Sequence, residues 1–311
     1  MPAVSVIVLV YKAEEYIEKC ARSLFEQTLE DIEYVFVDDC SPDRSMEILS
    51  RVLDDYPQRR SQVKIVRNQT NRGQAYSRQK GVEAASGDYI IHCDSDDYVE
   101  KDIYGKLYSK ALSDNLDIVL CTVRFVYPDH DEIAKDKLGA EDLLSALISM
   151  DIFHHLVDKL VSRKAYQKGI IYPKSNMCED IPMIIQLAGN CNSFGYVHEA
   201  LYNYVIRDDS ISWSKNTVAK VDQIKDNVDL ALTCINSRGL AAKYRKEVNH
   251  LKCWVKSAAF NLPREYYLGL YPEVNLHYLF DRRFSIMERL GHLTTLLGIH
   301  GISKSFVRKK K

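Results

Sequence analysis

The sequence predicts an α/β protein, in which a mostly parallel sheet with helices on both faces is joined to a helical C-terminal region. Three observations predict it. Strand-like and helix-like segments alternate through about the first 120 residues. The strand-like segments are unbroken apolar runs rich in β-branched residues, the pattern of strands covered on both faces. Beyond roughly Thr217 only helical periodicity remains.

Val4 to Val10 is the first strand, and Ile17, Ala21, Leu24 and Phe25 at helical spacing form the first helix. Tyr34 to Val37 repeats the strand signal. Ser41-Pro42 then reads as a helix start, a capping hydroxyl with proline in the first turn, carrying Met46, Leu49, Val52 and Leu53 inward. Val63 to Val66 is a third strand and Gln74 to Ala85 a third helix. After a fourth strand at Tyr89 to His92, a helix from near Glu100 runs through Leu107 and Ala111 to a strand at Ile118 to Cys121. In the second half, Ile181, Ile184, Ile185 and Leu187 mark a helix opened by Cys178-Glu179-Asp180, and LYNYVIRDDS from Leu201 is strand-like. Val218 to Leu240 and Ala241 to Phe260 are helical, and Leu262-Pro263 breaks that pattern.

Composition narrows the class. With 311 residues, 46% hydrophobic and 27% charged, the chain has apolar material for one large domain or two smaller ones. No apolar run approaches the roughly eighteen residues of a membrane span, and no basic stretch precedes an apolar one at the N-terminus. Neither an integral membrane protein nor a secreted one is expected. The eight cysteines form no CxxC pair, which argues against zinc and for reduced thiols in a cytoplasm. No GxGxxG or GxxxxGK[ST] loop is present, which counts against dinucleotide dehydrogenases and P-loop enzymes.

The strongest chemical signal is YIIHCDSDDY, Tyr89 to Tyr98, where an apolar strand delivers Asp94, Asp96 and Asp97 together. Carboxylates this close repel one another unless a cation or solvent compensates them. Hard oxygen donors suit Mg2+, Mn2+ or Ca2+ better than zinc. The bland alternative is an acidic turn, with Asp97 capping the next helix. Tyr11 follows the first strand and Asp38-Asp39 the second, so in a parallel sheet all of these meet at one carboxyl edge, where such folds bind ligands. Asp38 reads as a structural hydrogen-bond partner, and Tyr11 alone is as easily a strand-end aromatic packed on the core.

Four segments in this order, VSVIVLVYKAEEYIEKCARSLFEQT, VFVDDCSPDRS, NRGQAYSRQKGVEAASGDYI and HCDSDDY, resemble the bacterial family 2 glycosyltransferases. They cover about the first 105 residues. A weaker match continues through CEDIPMIIQLA and LYNYVIRDDSIS. The resemblance implies a GT-A (Rossmann-like) fold and inverting transfer of a sugar from a nucleotide diphosphosugar, with Mn2+ or Mg2+ as cofactor. It puts Tyr11 against the nucleotide base, Asp39 on its ring edge, Arg78 and Asp94 near the nucleotide, and Asp96 with Asp94 at the metal. A carboxylate at Asp39 accepts the N3 hydrogen of uracil, which points to a UDP-sugar. Lys12, Cys40 and Pro42 stand where the family usually has asparagine, glycine and threonine.

The same resemblance makes Asp180 the catalytic base and Glu179 its neighbour. Tyr204 and Arg207 become candidate contacts to diphosphate or acceptor, itself a glycan or lipid-linked molecule of surface polysaccharide synthesis. His154 and His155 read as core or surface histidines that could reach the acceptor. The expected organisation is 1–216 as the GT-A domain, with 1–120 binding nucleotide and 121–216 the acceptor, and 217–311 as a helical region mediating oligomerisation or membrane contact. From Arg282 to Lys311 there are eight Lys or Arg against the single acid Glu288. That basic tail is either a solvated end or a contact to the anionic cytoplasmic membrane face, ranked above nucleic acid because no aromatic-interleaved basic platform accompanies it. A nucleotidyltransferase is the enzyme alternative, disfavoured by the missing glycine-rich N-terminal loop, and a non-catalytic carbohydrate-binding or scaffold protein is the alternative from another class.

Overall fold

A computed structural model of the chain describes residues 1–135, 137, 139–207 and 215–299. The predicted basic end from Lys304 and the stretch from Asp208 to Ser214 lie outside these residues. β1 (Val4–Val10), β2 (Ile32–Asp38), β3 (Val63–Arg67) and β4 (Tyr89–Asp94) form a parallel core in the order β3-β2-β1-β4. Alternate side chains divide between two apolar layers, as a strand's two-residue period requires. Val6, Val8, Phe36 and Ile91 face one layer, while Ile7, Val35, Val37 and Ile90 face the other.

The first layer is filled by α1 (Ile17–Phe25), α2 (Ser45–Asp54) and α4 (Ile103–Ser113). On the other side, α3 (Gln74–Ala84) lies so close to the sheet that a Cβ at Gly81 would collide with Ile7 Cγ2. Glycine is needed there for approach, not for its dihedral freedom. The expected capping role of Ser41-Pro42 is not observed, because α2 starts at Ser45. Ser41 is engaged elsewhere: its hydroxyl accepts from Lys12 N at 2.8 Å and donates to Asp43 Oδ1 at 2.6 Å. Asp43 Oδ1 also accepts from Ser45 N at 3.2 Å and Ser45 Oγ at 2.6 Å.

The sheet continues past β4. β5 (Tyr98–Val99), β6 (Ile118–Val126), β7 (Asp131–Ile133), β8 (Lys159–Ser162) and β9 (Phe194–Val205) extend it in the order β4-β8-β6-β9-β5, with β7 on β6. β8 runs antiparallel between β4 and β6, so the sheet is mixed at this point although mostly parallel. β5 explains why α4 starts later than expected: residues 98–99 pair with β9, and Glu100 N donates to Leu201 O.

α5 (Leu143–Ile148), α6 (Arg163–Gln167) and α7 (Asp180–Asn190) cover the second half of the sheet. α8 (Val218–Ser237), α9 (Arg245–Ala258), α10 (Arg264–Gly269), α11 (Asn275–Phe280) and α12 (Ile286–Leu296) follow the predicted helical periodicity. Thr217 caps α8 by accepting from Lys220 N. One apolar cluster runs from Ile7 and Val35 through α7 to Val228, Leu251 and Phe284, so the C-terminal helices share a core with the sheet.

At the start of β8, Asp158 and Lys159 form an ion pair with both side chains fully buried. Lys159 Nζ donates to Asp158 Oδ1 and Oδ2 at 2.7 and 2.8 Å and to His155 O at 2.9 Å. Removing one partner strands a charge in the interior. Asp158→Ala should therefore cost about 3–5 kcal/mol in urea unfolding, and Asp158→Leu combined with Lys159→Met should recover most of that loss. A single variant within about 0.5 kcal/mol of wild type would show that the pair does not bear on stability.

Candidate active site

The carboxyl ends of β1, β2 and β4 deliver the predicted residues to one edge. Val10 pairs with Asp38 and Leu9 with Asp94, so the side chains that follow leave the sheet side by side. Tyr11 is 42% exposed there, free of the apolar core. Lys12 and Cys40, the residues just past β1 and near the end of β2, have φ of 52° and 57°. Asparagine and glycine enter that left-handed region most readily, which gives a physical reason for the residues usual in the resembling family.

Asp38 is structural, as expected: its Oδ1 accepts from Ser41 N at 2.9 Å. Asp39 is buried and holds the loop that leads into α3. Its Oδ1 accepts from Arg72 N at 2.8 Å and Asn68 Nδ2 at 2.7 Å, and its Oδ2 from Gly73 N at 2.8 Å. Gly73 adopts φ +82°. From across the cleft, Asn176 Oδ1 accepts from Ala75 N at 3.2 Å. Sequence reasoning passed over Asn68 and Asn176, which carry no motif of their own.

The acidic turn after β4 brings Asp94, Asp96 and Asp97 together, each offering an oxygen within 4.8 Å of the others. Asp97 is not a helix cap; α4 begins further on, at Ile103. Asp97 is instead a buried strut to β9, accepting from Tyr202 OH at 2.7 Å through Oδ2 and from Val205 N at 2.7 Å through Oδ1. The Tyr202 hydroxyl in turn accepts from Asp94 N at 3.1 Å. Asp96 pairs with Arg207, Oδ2 to Nη2 at 2.8 Å, and the Arg207 guanidinium lies 4.5 Å from the Tyr16 ring centroid. Burial pushes the Asp94 carboxyl up to about 7, and repulsion from Asp96 and Asp180 adds to it against the pull of Arg78. This excess of negative charge on hard oxygen donors fits a divalent cation such as Mn2+ or Mg2+.

Glu179 and Asp180 do open α7, as the sequence implies. Arg78 reaches them from α3, with Nη2 at 3.0 Å from Glu179 Oε1 and 3.1 Å from Asp180 Oδ1. The Arg78 side chain is only 4% exposed, and its Nε and Nη1 have no protein acceptor. Burial beside Asp180 raises the Glu179 carboxyl to about 7 even with Arg78 present. Tyr204 completes the wall, its phenol pushed up by burial and by Asp94, Asp97, Asp96 and Asp180. His155 stacks on Tyr204 at 5.2 Å and on Phe153 at 5.4 Å, whereas His154 turns into the core and bonds to Leu147 O at 2.7 Å. The site thus joins the first and second halves of the chain across Arg78, gathering carboxylates that suit a cation or a proton around a buried guanidinium.

Comparison with known proteins gives a consistent picture. The family described as glycosyl transferase family 2 matches residues 5–171. The uncharacterised glycosyltransferase EpsJ of Bacillus subtilis is 28% identical over 265 residues, covering 81% of this chain and 75% of the relative. The cholesterol galactosyltransferase of Borreliella burgdorferi is 30% identical over 234 residues, covering 70% and 64%. Among solved structures, S. aureus TarS 1-349 superposes with a TM-score of 0.70 at 17% identity, covering 98% of this chain and 90% of that one. Its complex with UDP-GlcNAc superposes at 0.66.

The two neighbouring aspartates should separate in a stability measurement. Asp97→Ala leaves the Tyr202 hydroxyl and Val205 N–H unsatisfied in the interior and should cost about 1–3 kcal/mol in urea unfolding. Asp96→Ala removes a partly exposed carboxylate and should stay within about 0.5 kcal/mol of wild type. Equal losses would mean that Asp97 is not a strut.

Proposed function

The chain belongs to glycosyl transferase family 2 and has the GT-A fold; from that premise we propose that this glycosyltransferase moves a sugar from a UDP-sugar to a hydroxyl of a glycan or lipid-linked acceptor, with inversion and with a divalent cation. The observation that carries this reading is the meeting of the Asp94–Asp97 cluster with Glu179-Asp180 across Arg78 at the carboxyl edge of the sheet. The UDP-GlcNAc complex of TarS, a protein of similar fold, supports the donor class.

In this reading Tyr11 packs on the base. Asp39 accepts the N3 hydrogen of uracil, using the oxygen lone pair left beside its bond from Gly73 N. The unpaired Nε and Nη1 of Arg78 supply N–H donors for donor phosphate or sugar oxygens. Asp94 and Asp96 would hold Mn2+ or Mg2+, which neutralises the departing diphosphate when bound. Arg207, now on Asp96, stands ready as a second cation for the same phosphates. Arg78 pairs with Asp180 by charge at 3.1 Å without hydrogen-bonding it, which leaves the Asp180 carboxylate to take the acceptor's proton. Of the two carboxylates paired with Arg78, Asp180 is the more exposed, 19% against 6% for Glu179, which favours Asp180 as the base. Tyr204, His155 and Phe153 offer an aromatic wall for an acceptor sugar.

Calorimetry tests the donor site. Mn2+ should tighten UDP binding to the wild type, and Asp96→Ala should lose that tightening while remaining folded. CDP should bind more weakly than UDP by about 1–3 kcal/mol through the lost N3 contact. Unchanged Mn2+ dependence in the variant removes Asp96 from the metal, and equal UDP and CDP affinities remove Asp39 from the base.

Turnover tests the base. Asp180→Asn keeps size and polarity but not basicity, so the rate should fall by roughly 10² to 10⁴ with donor affinity nearly unchanged. NMR of the product should show an inverted anomeric centre. Retention, or near-normal turnover in the variant, would overturn the assignment and make Glu179 the next residue to test.

A further inference from the structure

We infer that the outward face of α11 and α12 docks this protein onto an anionic lipid bilayer. The inference does not depend on the reaction proposed above. α12 is amphipathic in the inverted sense. Its inward face is small or polar: Gly291 packs against Phe260, His292 bonds to Tyr267 OH at 2.6 Å and to Asn275 O at 2.9 Å, and Thr295 is buried. Its outward face carries Ile286, Leu290, Leu293 and Leu297 at positions i, i+4, i+7 and i+11, which form one stripe. They are 67%, 41%, 38% and 66% exposed.

The helix is held firmly in this orientation. Ser285 and Glu288 form a capping box at its start, and Arg264 Nε and Nη2 bond the terminal carbonyls of Thr295 and Leu296 at 2.8 and 3.1 Å. The apolar stripe therefore cannot be hidden by rolling the helix over without breaking these bonds. Leu276 and Phe280 on α11 add two more exposed apolar side chains.

Cations flank this surface. Phe280 lines a groove of about 500 Å³ together with Arg245, Lys246 and Arg282. None of these three cations forms an ion pair among the described residues, whereas Arg283 in the same groove is held by Asp281. Among the described residues after Asp281 there are three arginines, Arg282, Arg283 and Arg289, and one acid, and that acid, Glu288, is turned back into the capping box. An apolar surface with cations gathered at its Phe280 end matches the boundary between acyl chains and anionic headgroups. A second copy of the chain is the poorer occupant, because a two-fold contact would bring two strongly basic segments together. No helix among the described residues is long and apolar enough to cross a membrane, so the contact proposed is peripheral.

The test is co-sedimentation of the full chain with phosphatidylcholine vesicles, with and without phosphatidylglycerol. The wild type should pellet with the anionic vesicles, less so at high salt. Leu290→Glu combined with Leu293→Glu should weaken that binding by roughly tenfold or more, with circular dichroism and the urea unfolding midpoint unchanged. Arg282→Glu should weaken it further at low salt only. Equal pelleting of wild type and the double variant overturns the inference. So does a wild type that ignores vesicles and elutes as a dimer that the double variant dissolves, which would assign the face to a second copy. Because vesicle binding is read without substrate, its outcome is separate from that of the proposed reaction.

Discussion

The candidate site depends on the charge of one side chain. Arg78 sits in the interior with its Nη2 on Glu179 and Asp180, and its field also acts on Asp94. Three carboxylates from two distant parts of the chain share this single guanidinium. Burying carboxylates without a compensating cation favours their neutral form, so Arg78 is what lets negative charge persist in this cluster. The balance is incomplete even with Arg78 in place, since both Asp94 and Glu179 stay near 7.

Much of this was legible in the sequence, for identifiable reasons. β1, β2 and β4 announce themselves because strands buried on both faces must be continuously apolar, and parallel pairing then fixes that Tyr11, Asp39 and Asp94 share an edge. Asp180 at a helix start follows from the periodicity of Ile181, Ile184, Ile185 and Leu187. Other features depend on partners far along the chain. Nothing local distinguishes Asp97 as a strut from Asp97 as a cap, because Tyr202 and Val205 decide it. Ser41-Pro42 carries every local mark of a helix start, yet Lys12 and Asp43 recruit the serine for the neighbouring loop. β8 is short, and its antiparallel insertion between β4 and β6 leaves no periodic signature.

The C-terminal helices show the opposite relation between sequence and structure. Their periodicity is plain, but which face turns inward is not, since α12 presents its leucines to the outside and its glycine, histidine and threonine to the core. Hydrophobic pattern locates a helix without assigning its apolar stripe to the interior. The fixed hydrogen bonds of His292 and the capping contacts of Arg264 make that assignment here.

The close seating of α3 on the sheet at Gly81 also acts as a gauge for the electrostatics. Arg78 lies one turn earlier on the same stiff helix, so the gap between helix and sheet sets how deep its guanidinium sits. A methyl group at position 81 would lift the helix from Ile7 and carry Arg78 away with it. The 3.0 Å hydrogen bond to Glu179 tolerates only a few tenths of an ångström before it weakens. The smallest side chain in the helix thus calibrates the reach of the longest, and a site made of charges is tuned by a residue that has none.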